Sequence, residues 1–497
     1  MTSAGITSVP AGPRPRAGRW ALFIPRAAWT PIVFTAVLTT VATYPLYADD
    51  SLWLGAAIFA MTLVSLHLFK ATHQLPWLPG FVAIIAALQS VFAPWAAYHL
   101  PLAPDAMPMA IGADEYFAFA VPALLALLAG MFWPLIRLGR RAPSGRNEIP
   151  PEPTAQLTRN FDRMLIAGIA VQILVVPLAP ASLLFAVTLL SYVGYSAAFA
   201  LLLLRARGWQ WRVGAVLLLE AFICATSGGQ FLNLVMWAGQ TLVLVMYVYR
   251  LRSRRVLALG AMSVVFILAI NGFKGRYRIE SAAQVMSAPD RARLAARRFT
   301  EVFTDPERLF SPENLAYNAA RMNQGSVNSR MMYWTPAFEP FAHGGTVIEA
   351  IRSAVLPRFL DPNKYVAGGH DLYQQYTGLE LINGTSIGLS IPGEMYVNFG
   401  VFGGVIGVFV YGALLGLVFR FFVERGRWNR LWWAWLPMIT LSTVSAEQGL
   451  GETLNQVSKS LVVMAAVVTF LPGWQTLRRR RVRASASAPM LAQDASR

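Results

Sequence analysis

The chain has 497 residues, of which 56% are hydrophobic and only 13% charged, yet its 42 Lys and Arg outnumber its 25 Asp and Glu and set a net charge of +17. With a mean hydropathy of +0.47, this composition excludes a water-soluble nucleic-acid binder, because so few charges and so much apolar surface do not coexist on one solvated fold. The positive excess instead has a membrane explanation, since Lys and Arg collect in cytoplasmic loops and hold a multi-span chain in one orientation.

Residues 1–29 carry Arg14, Arg16, Arg19 and Arg26 among prolines and lack the apolar core of a signal peptide, so they are expected to form a cytoplasmic tail. Apolar stretches long enough to cross a bilayer core as helices, about 17 to 25 residues, then follow. Twelve are expected: 30–48, 51–69, 78–100, 115–136, 164–179, 181–204, 213–228, 231–249, 256–273, 396–421, 431–446 and 456–473. The pairs meeting at Pro177–Pro180 and at Ser227–Gln230 read also as single broken or re-entrant elements. The predicted architecture is all-α: a polytopic integral membrane protein with about 12 transmembrane helices and one large, partly helical extracytoplasmic loop. Its parts are the tail (1–29), a first membrane region (30–273), the loop (274–395), a second membrane region (396–473) and a basic tail (474–497). Cys224, the single cysteine, lies in an apolar run, so no intramolecular disulfide forms.

The connecting loops sort by charge. Arg137, Arg140, Arg141, Arg146, Arg159 and Arg163 fall on one side, with Arg205, Arg207, Arg212, Arg250, Arg252, Arg254, Arg255, Arg425, Arg427, Arg430 and the run from Arg478 to Arg481. The alternate short loops carry Asp49, Asp50, Asp105, Asp114 and Glu115 and no Lys or Arg. Both termini are therefore expected in the cytoplasm, and 274–395 outside it. That segment holds 13 basic and 12 acidic residues and is nearly neutral, so the charge excess is a topology signal belonging to the other loops.

A loop of about 120 residues is too long for a connector, and loops of that length are usually functional. Ser287 to Phe303 reads as an interfacial helix, with Arg291, Arg293, Arg297 and Arg298 on its polar side and Ala295, Phe299, Val302 and Phe303 on the other. Ser311-Pro312 opens a second helix with an N-cap and a proline at its first position. Thr346-Val-Ile-Glu349 reads as a capping box for a third, ending before Pro357.

The same loop concentrates groups suited to an anionic substrate. Arg276 and Arg278, in Lys274-Gly-Arg-Tyr-Arg278, are followed by Arg330, Arg352, Arg358 and Lys364. Guanidinium suits phosphate oxygens through its planar, permanently charged fork, although Arg at helix ends also snorkels to headgroups and only four of the basic residues are Lys. His370, in Gly368-Gly-His-Asp371, is either a general base or a solvated loop residue. Glu394, in Pro392-Gly-Glu-Met-Tyr396, reads as a partly dehydrated proton acceptor beside Tyr396 and Asn398, or as a helix cap. Within the spans, Glu220 is either functional or part of an interhelical hydrogen-bond network with Gln230, Asn233 and Gln240. The glycines at 400, 403, 404, 407, 412 and 416 are expected to pack helices closely. The sequence contains no P-loop, His-Glu-x-x-His or Asp-x-Asp, so no metal or nucleotide cofactor is expected. Asn383-Gly-Thr385 matches a glycosylation sequon by chance.

The run Ser386-Ile-Gly-Leu-Ser-Ile-Pro-Gly-Glu-Met-Tyr-Val-Asn-Phe-Gly400, continuing Val-Phe-Gly-Gly404, resembles the signature of bacterial oligosaccharide repeat-unit polymerases of the Wzy type: a Glu, an aromatic and Asn-Phe-Gly entering a glycine-rich span. Leu356-Pro-Arg-Phe-Leu-Asp-Pro-Asn-Lys364 resembles a stretch of their large periplasmic loop. The resemblance implies an inner-membrane glycosyltransferase that joins repeat units carried on undecaprenyl diphosphate into O-antigen, capsule or exopolysaccharide. It also implies membrane lipids, a chain-length regulator and a flippase as partners. On that reading Arg276, Arg278, Arg358 and Lys364 hold the diphosphate, and Glu394 or His370 is the base. An O-antigen ligase and a polysaccharide-lipid flippase are the alternatives. A flippase would place its polar site at the bilayer midplane, whereas most titratable groups here lie in the loop.

Overall fold

The computed structural model of the chain describes residues 26–71, 78–100, 106–136, 155–226, 231–251, 253–283, 286–356, 361, 370–380, 388–426, 429–444, 447–471 and 474. These residues are helical, with no strand among them. In order they form α1 (Arg26–Ala42), α2 (Trp53–Ala71), α3 (Leu78–Ala87), α4 (Ala93–His99), α5 (Ala113–Ile136), α6 (Ala155–Ala170), α7 (Ala181–Leu203), α8 (Trp209–Thr226), α9 (Leu232–Tyr249) and α10 (Ser253–Ala283). Shorter helices follow: α11 (Ala288–Phe303), α12 (Pro306–Leu309), α13 (Pro312–Met322), α14 (Gly325–Trp334), α15 (Gly345–Val355) and α16 (His370–Thr377). The chain ends with α17 (Ile391–Gly426), α18 (Leu436–Thr440) and α19 (Leu450–Phe470).

Among the described residues, 8 helices are long and apolar enough to cross a bilayer: Leu78–His99, Ala113–Leu135, Ala155–Leu178, Ser182–Leu203, Leu232–Tyr249, Arg254–Arg278, Ile391–Gly426 and Leu450–Phe470. Thr30–Ala42 and Trp53–Leu66 are shorter apolar helices. The protein is thus a helical, membrane-embedded one, and among the described residues these helices match only part of the twelve expected spans. Two causes are visible. In α8 the polar first turn Trp209-Gln-Trp-Arg212 and the mid-helix Glu220 lower the hydropathy. At 431–446 the chain forms a 3₁₀ turn at Arg430–Trp435, the five-residue α18 with Pro437 in its first turn, and a 3₁₀ turn at Leu441–Thr443. Proline supplies no N–H for a continuous helix there.

The pair at Pro177–Pro180 consists of two helices. A 3₁₀ turn at Val176–Leu178 ends the first and Pro180 caps the second. They pack side by side, with Ser191 Oγ donating to Gln172 Oε1 at 2.5 Å. Helices α3 and α4 join through a π turn at Leu88–Phe92. Pro94 has no N–H to offer the Ser90 carbonyl, and the Tyr116 hydroxyl donates to that oxygen at 2.7 Å.

The largest interhelical seam joins α5 to α17, and small residues make it possible. A Cβ at Gly412 would stand 2.6 Å from the Leu127 carbonyl oxygen, and on the facing helix Gly130 abuts the backbone of Phe409. The close packing expected of Gly412 and Gly416 is found. Gly412→Leu is therefore expected to abolish the folded monodisperse protein, because backbone cannot move aside as a side chain does. Size-exclusion profile and yield from detergent-solubilised membranes measure this; wild-type behaviour would refute the seam.

The described residues of 274–395 are largely helical, with two boundary changes. The ninth expected span does not stop at 273, because α10 continues to Ala283. The tenth begins at Ile391, and its helix breaks at Gly400, whose φ of 68° and ψ of −165° lie outside helical values. Ser287 caps α11 and Ser311 caps α13, each side chain accepting from the backbone N–H three residues on, Asp290 and Asn314. The capping box at Thr346 is corrected. Gly344, at φ 91°, starts α15, and Thr346 lies inside it with its hydroxyl turned to another helix.

Candidate functional site

The long segment is fastened to the membrane helices at two places, and one turn, 447–450, touches both. The first lies at the end of α10. With 31 residues this helix is about 46 Å long, well beyond the ~30 Å of a bilayer core, so its last turns carry side chains out of the apolar layer. Helix α13 docks on it: Asn271 Nδ2 donates to Asn318 Oδ1 at 2.9 Å, and Asn318 Nδ2 donates to the Asn314 carbonyl at 2.9 Å.

This docking brings Arg321, in the last turn of α13, to Lys274 and Arg278, which sit one turn apart on α10. The three cations act on one another electrostatically, and Glu447 faces Lys274 and Arg321. Arg321 Nε donates to the Tyr317 hydroxyl at 3.0 Å, and Gln89, from the π turn, donates to Glu447 Oε1 at 3.2 Å. Burial pushes the Glu447 carboxyl above its ordinary range, against the opposing pull of Lys274 and Arg321. Lys274, Arg278 and Glu447 are half-buried and Arg321 is exposed, so the cluster is open to a ligand. Three positive charges against one carboxylate leave a net attraction for an anion with several oxygens.

The second place is Glu394. It is 4% exposed, and both its oxygens are engaged. Oε1 accepts from the Thr346 hydroxyl at 3.1 Å, and Oε2 accepts from the Leu450 N–H at 2.7 Å. The carboxylate thereby caps the N-terminus of α19, where negative charge is favoured, instead of its own helix. Asn398, one turn on, completes the knot: Nδ2 donates to Thr346 Oγ1 and to the Glu394 carbonyl, each at 2.7 Å, and Oδ1 accepts from the Gly344 N–H at 3.0 Å. Glu394 thus ties α15, α17 and α19 together. Asn455 Nδ2 adds a second tie from α19 to Ser353 of α15 at 3.0 Å.

The remaining sequence candidates are dispersed. Arg276 is exposed, two residues from Lys274 and so on another face of α10. Arg330 donates through Nε to the Thr377 carbonyl at 2.8 Å and lies over Tyr333 and Trp334. Arg352 pairs with Asp361 at 2.7 Å. Tyr396 is buried with its ring against Phe119 and Phe341. Arg358, Lys364, the side chain of His370 and the 383–385 sequon lie outside the described residues, as does the Ser227–Gln230 junction. Glu220 accepts from the Tyr195 hydroxyl at 2.8 Å and Gln240 accepts from Thr440 at 3.0 Å, two separate interhelical bonds, while Gln230 lies outside the described residues. Arg321 and Glu447 were absent from the sequence candidates. Each joins the cluster only through tertiary docking, and the one local hint is that Arg321 ends a helix whose start was readable.

Among the described residues no group of His, Cys, Asp and Glu could hold a metal ion. Set against protein-family models, curated proteins and solved structures, the chain matches none.

Proposed function

We propose that the chain polymerises oligosaccharide repeat units carried on undecaprenyl diphosphate into a surface polysaccharide, by glycosyl transfer at the outer face of the inner membrane. The observation that carries this reading is the gathering of Lys274, Arg278 and Arg321 toward the end of α10, with Glu447 set against Lys274 and Arg321 and joined by the 447–450 turn to Glu394. The resemblance of Ser386–Gly404 to repeat-unit polymerases and the charge sorting of the loops, which favours cytoplasmic termini, support it.

In this chemistry a sugar hydroxyl of one lipid-linked unit attacks the anomeric carbon of another. A new C–O bond forms, and the C–O bond to the diphosphate breaks with its electron pair leaving on the phosphate. Lys274, Arg278 and Arg321 stabilise that developing charge, the role of a fixed electrostatic clamp. Glu447, whose proton affinity is raised by burial, takes the proton of the attacking hydroxyl. Glu394 and Asn398 hold the turn that presents Glu447. Neither a metal nor a nucleotide enters any step.

A deletion strain tests the proposal. Single repeat units on the lipid A core in place of long chains are the expected outcome. Lipid-linked polymer that never reaches core would make the protein a ligase, and lipid-linked units retained on the cytoplasmic side would make it a flippase.

A further inference from the structure

Helix α14 and the turn after it present aromatic rings that neither the membrane helices nor the cationic cluster use. Tyr333 is 45% and Phe338 59% exposed. Phe338 is backed by Trp334, stacked at 4.5 Å between centroids and 24° between planes, and Tyr333 lies 5.9 Å from it at 41°. Trp334 is itself pinned, its Nε1 donating to the Gln375 carbonyl at 3.0 Å. Polar groups border these rings. Gln375 Nε2 donates to Glu339 Oε1 at 2.6 Å, and Asp371, exposed, sits one turn before Gln375 on the same face of α16. The Arg330 guanidinium carbon lies 5.3 Å from the centroids of both Tyr333 and Trp334, and its Nε is held by Thr377.

We infer that Tyr333 and Phe338, rimmed by Glu339, Gln375 and Arg330, form a subsite for a sugar ring of the glycan. The inference rests on the polymerase reading and names where that enzyme holds its substrate away from the diphosphate. A pyranose offers a face of C–H groups, positively polarised, which lies against the negative face of an aromatic ring. Its edge offers hydroxyls, which donate to a carboxylate or amide oxygen and accept from an amide or guanidinium N–H. Rings and rim here have that division of labour. The groups are also held in place before a ligand arrives, by the stack, the Gln375–Glu339 bond and the Thr377 carbonyl, which lowers the ordering cost of binding. A bilayer interface is the competing occupant of exposed Tyr and Phe. Interfacial aromatics sit among Lys and Arg facing anionic lipid, whereas Glu339 and Asp371 would be repelled there.

The test uses the full chain in nanodiscs and, as probe, the oligosaccharide released by mild acid from the host's own lipid-linked units. The double variant Tyr333→Ala/Phe338→Ala is expected to bind it about tenfold more weakly, and Phe338→Tyr, which keeps a ring face, to bind as wild type does. In a second measurement, Phe338→Cys in a Cys224→Ser background is expected to react with a membrane-impermeant maleimide and to be protected by the oligosaccharide. Equal binding by wild type and double variant, or labelling in detergent that the nanodisc bilayer abolishes, would overturn the subsite. Binding is read without chain growth, so the two proposals fail separately. Ring-dependent binding by a protein that extends no glycan sinks the polymerase alone, and chain growth with ring-independent binding sinks the subsite alone.

Discussion

Glu394→Ala is expected to lower the stability of the detergent-solubilised protein by about 3 kcal/mol or more, because it strands two buried donors at once. The Leu450 N–H loses its acceptor at 2.7 Å and the Thr346 hydroxyl loses its acceptor at 3.1 Å. Neither has water at hand, since Glu394 is only 4% exposed and Thr346 is buried. Glu394→Gln keeps one oxygen for Leu450, so a smaller loss of melting temperature is expected. Thr346→Val removes a donor and an acceptor together and should cost about 1 kcal/mol, with the Asn398 amide then relying on the Glu394 carbonyl alone. A thermal series over these variants separates the two roles the sequence left open for this residue. If Glu394→Gln melts as wild type does while chain growth is lost, the carboxylate belongs to the chemistry and not to the positioning of the 447–450 turn.

What was legible in the sequence follows the range of the interaction that decides it. The cap at Ser311 depends on a bond three residues long, and α13 starts where that serine predicts; the helix read from Ser287 to Phe303 likewise forms, with Ser287 as its cap. Gly412 was readable for a related reason: small residues spaced along one apolar helix serve only a neighbour that comes close. Thr346 misled because Ser/Thr-x-x-Glu has two outcomes, a local cap or a long-range bond. The choice was made by Asn398 and Glu394, about fifty residues away in the chain. Composition placed the protein in a membrane, but counting apolar runs does not register that Pro437 and the flanking 3₁₀ turns break the helix at 430–443. The candidate site was the least legible part. Its members come from the π turn (Gln89), α10 (Lys274, Arg278), α13 (Arg321) and the turn before α19 (Glu447), and no spacing rule connects them. The sequence ranked Arg276 with Arg278 because they are neighbours in the chain, whereas a helix separates residues two apart onto different faces.

That separation supplies the second strong prediction. Arg278→Ala and Arg321→Ala are each expected to reduce chain growth by about 10- to 100-fold, the cost of a charge-assisted hydrogen bond or two to a phosphate oxygen. Arg276→Ala, on the exposed face two residues away, is expected to leave it unchanged. The loss should divide between KM and kcat according to when the charge is needed. Cations that only recruit the lipid-linked diphosphate act on both ground and transition state and raise KM, whereas cations that meet the negative charge of the departing diphosphate lower kcat. Arg321, exposed at the mouth of the cluster, is expected to act mainly through KM and to lose its effect as salt rises. Arg278 and Lys274, both half-buried, are expected to act mainly through kcat, where lower dielectric strengthens their field. The Arg278→Ala/Arg321→Ala double variant should fall short of the sum of the singles, since two cations serving one diphosphate are coupled. Full additivity, or an Arg276→Ala defect as deep as that of Arg278→Ala, would show that the three charges do not share a ligand, and the electrostatic clamp would have to be sought elsewhere in the segment.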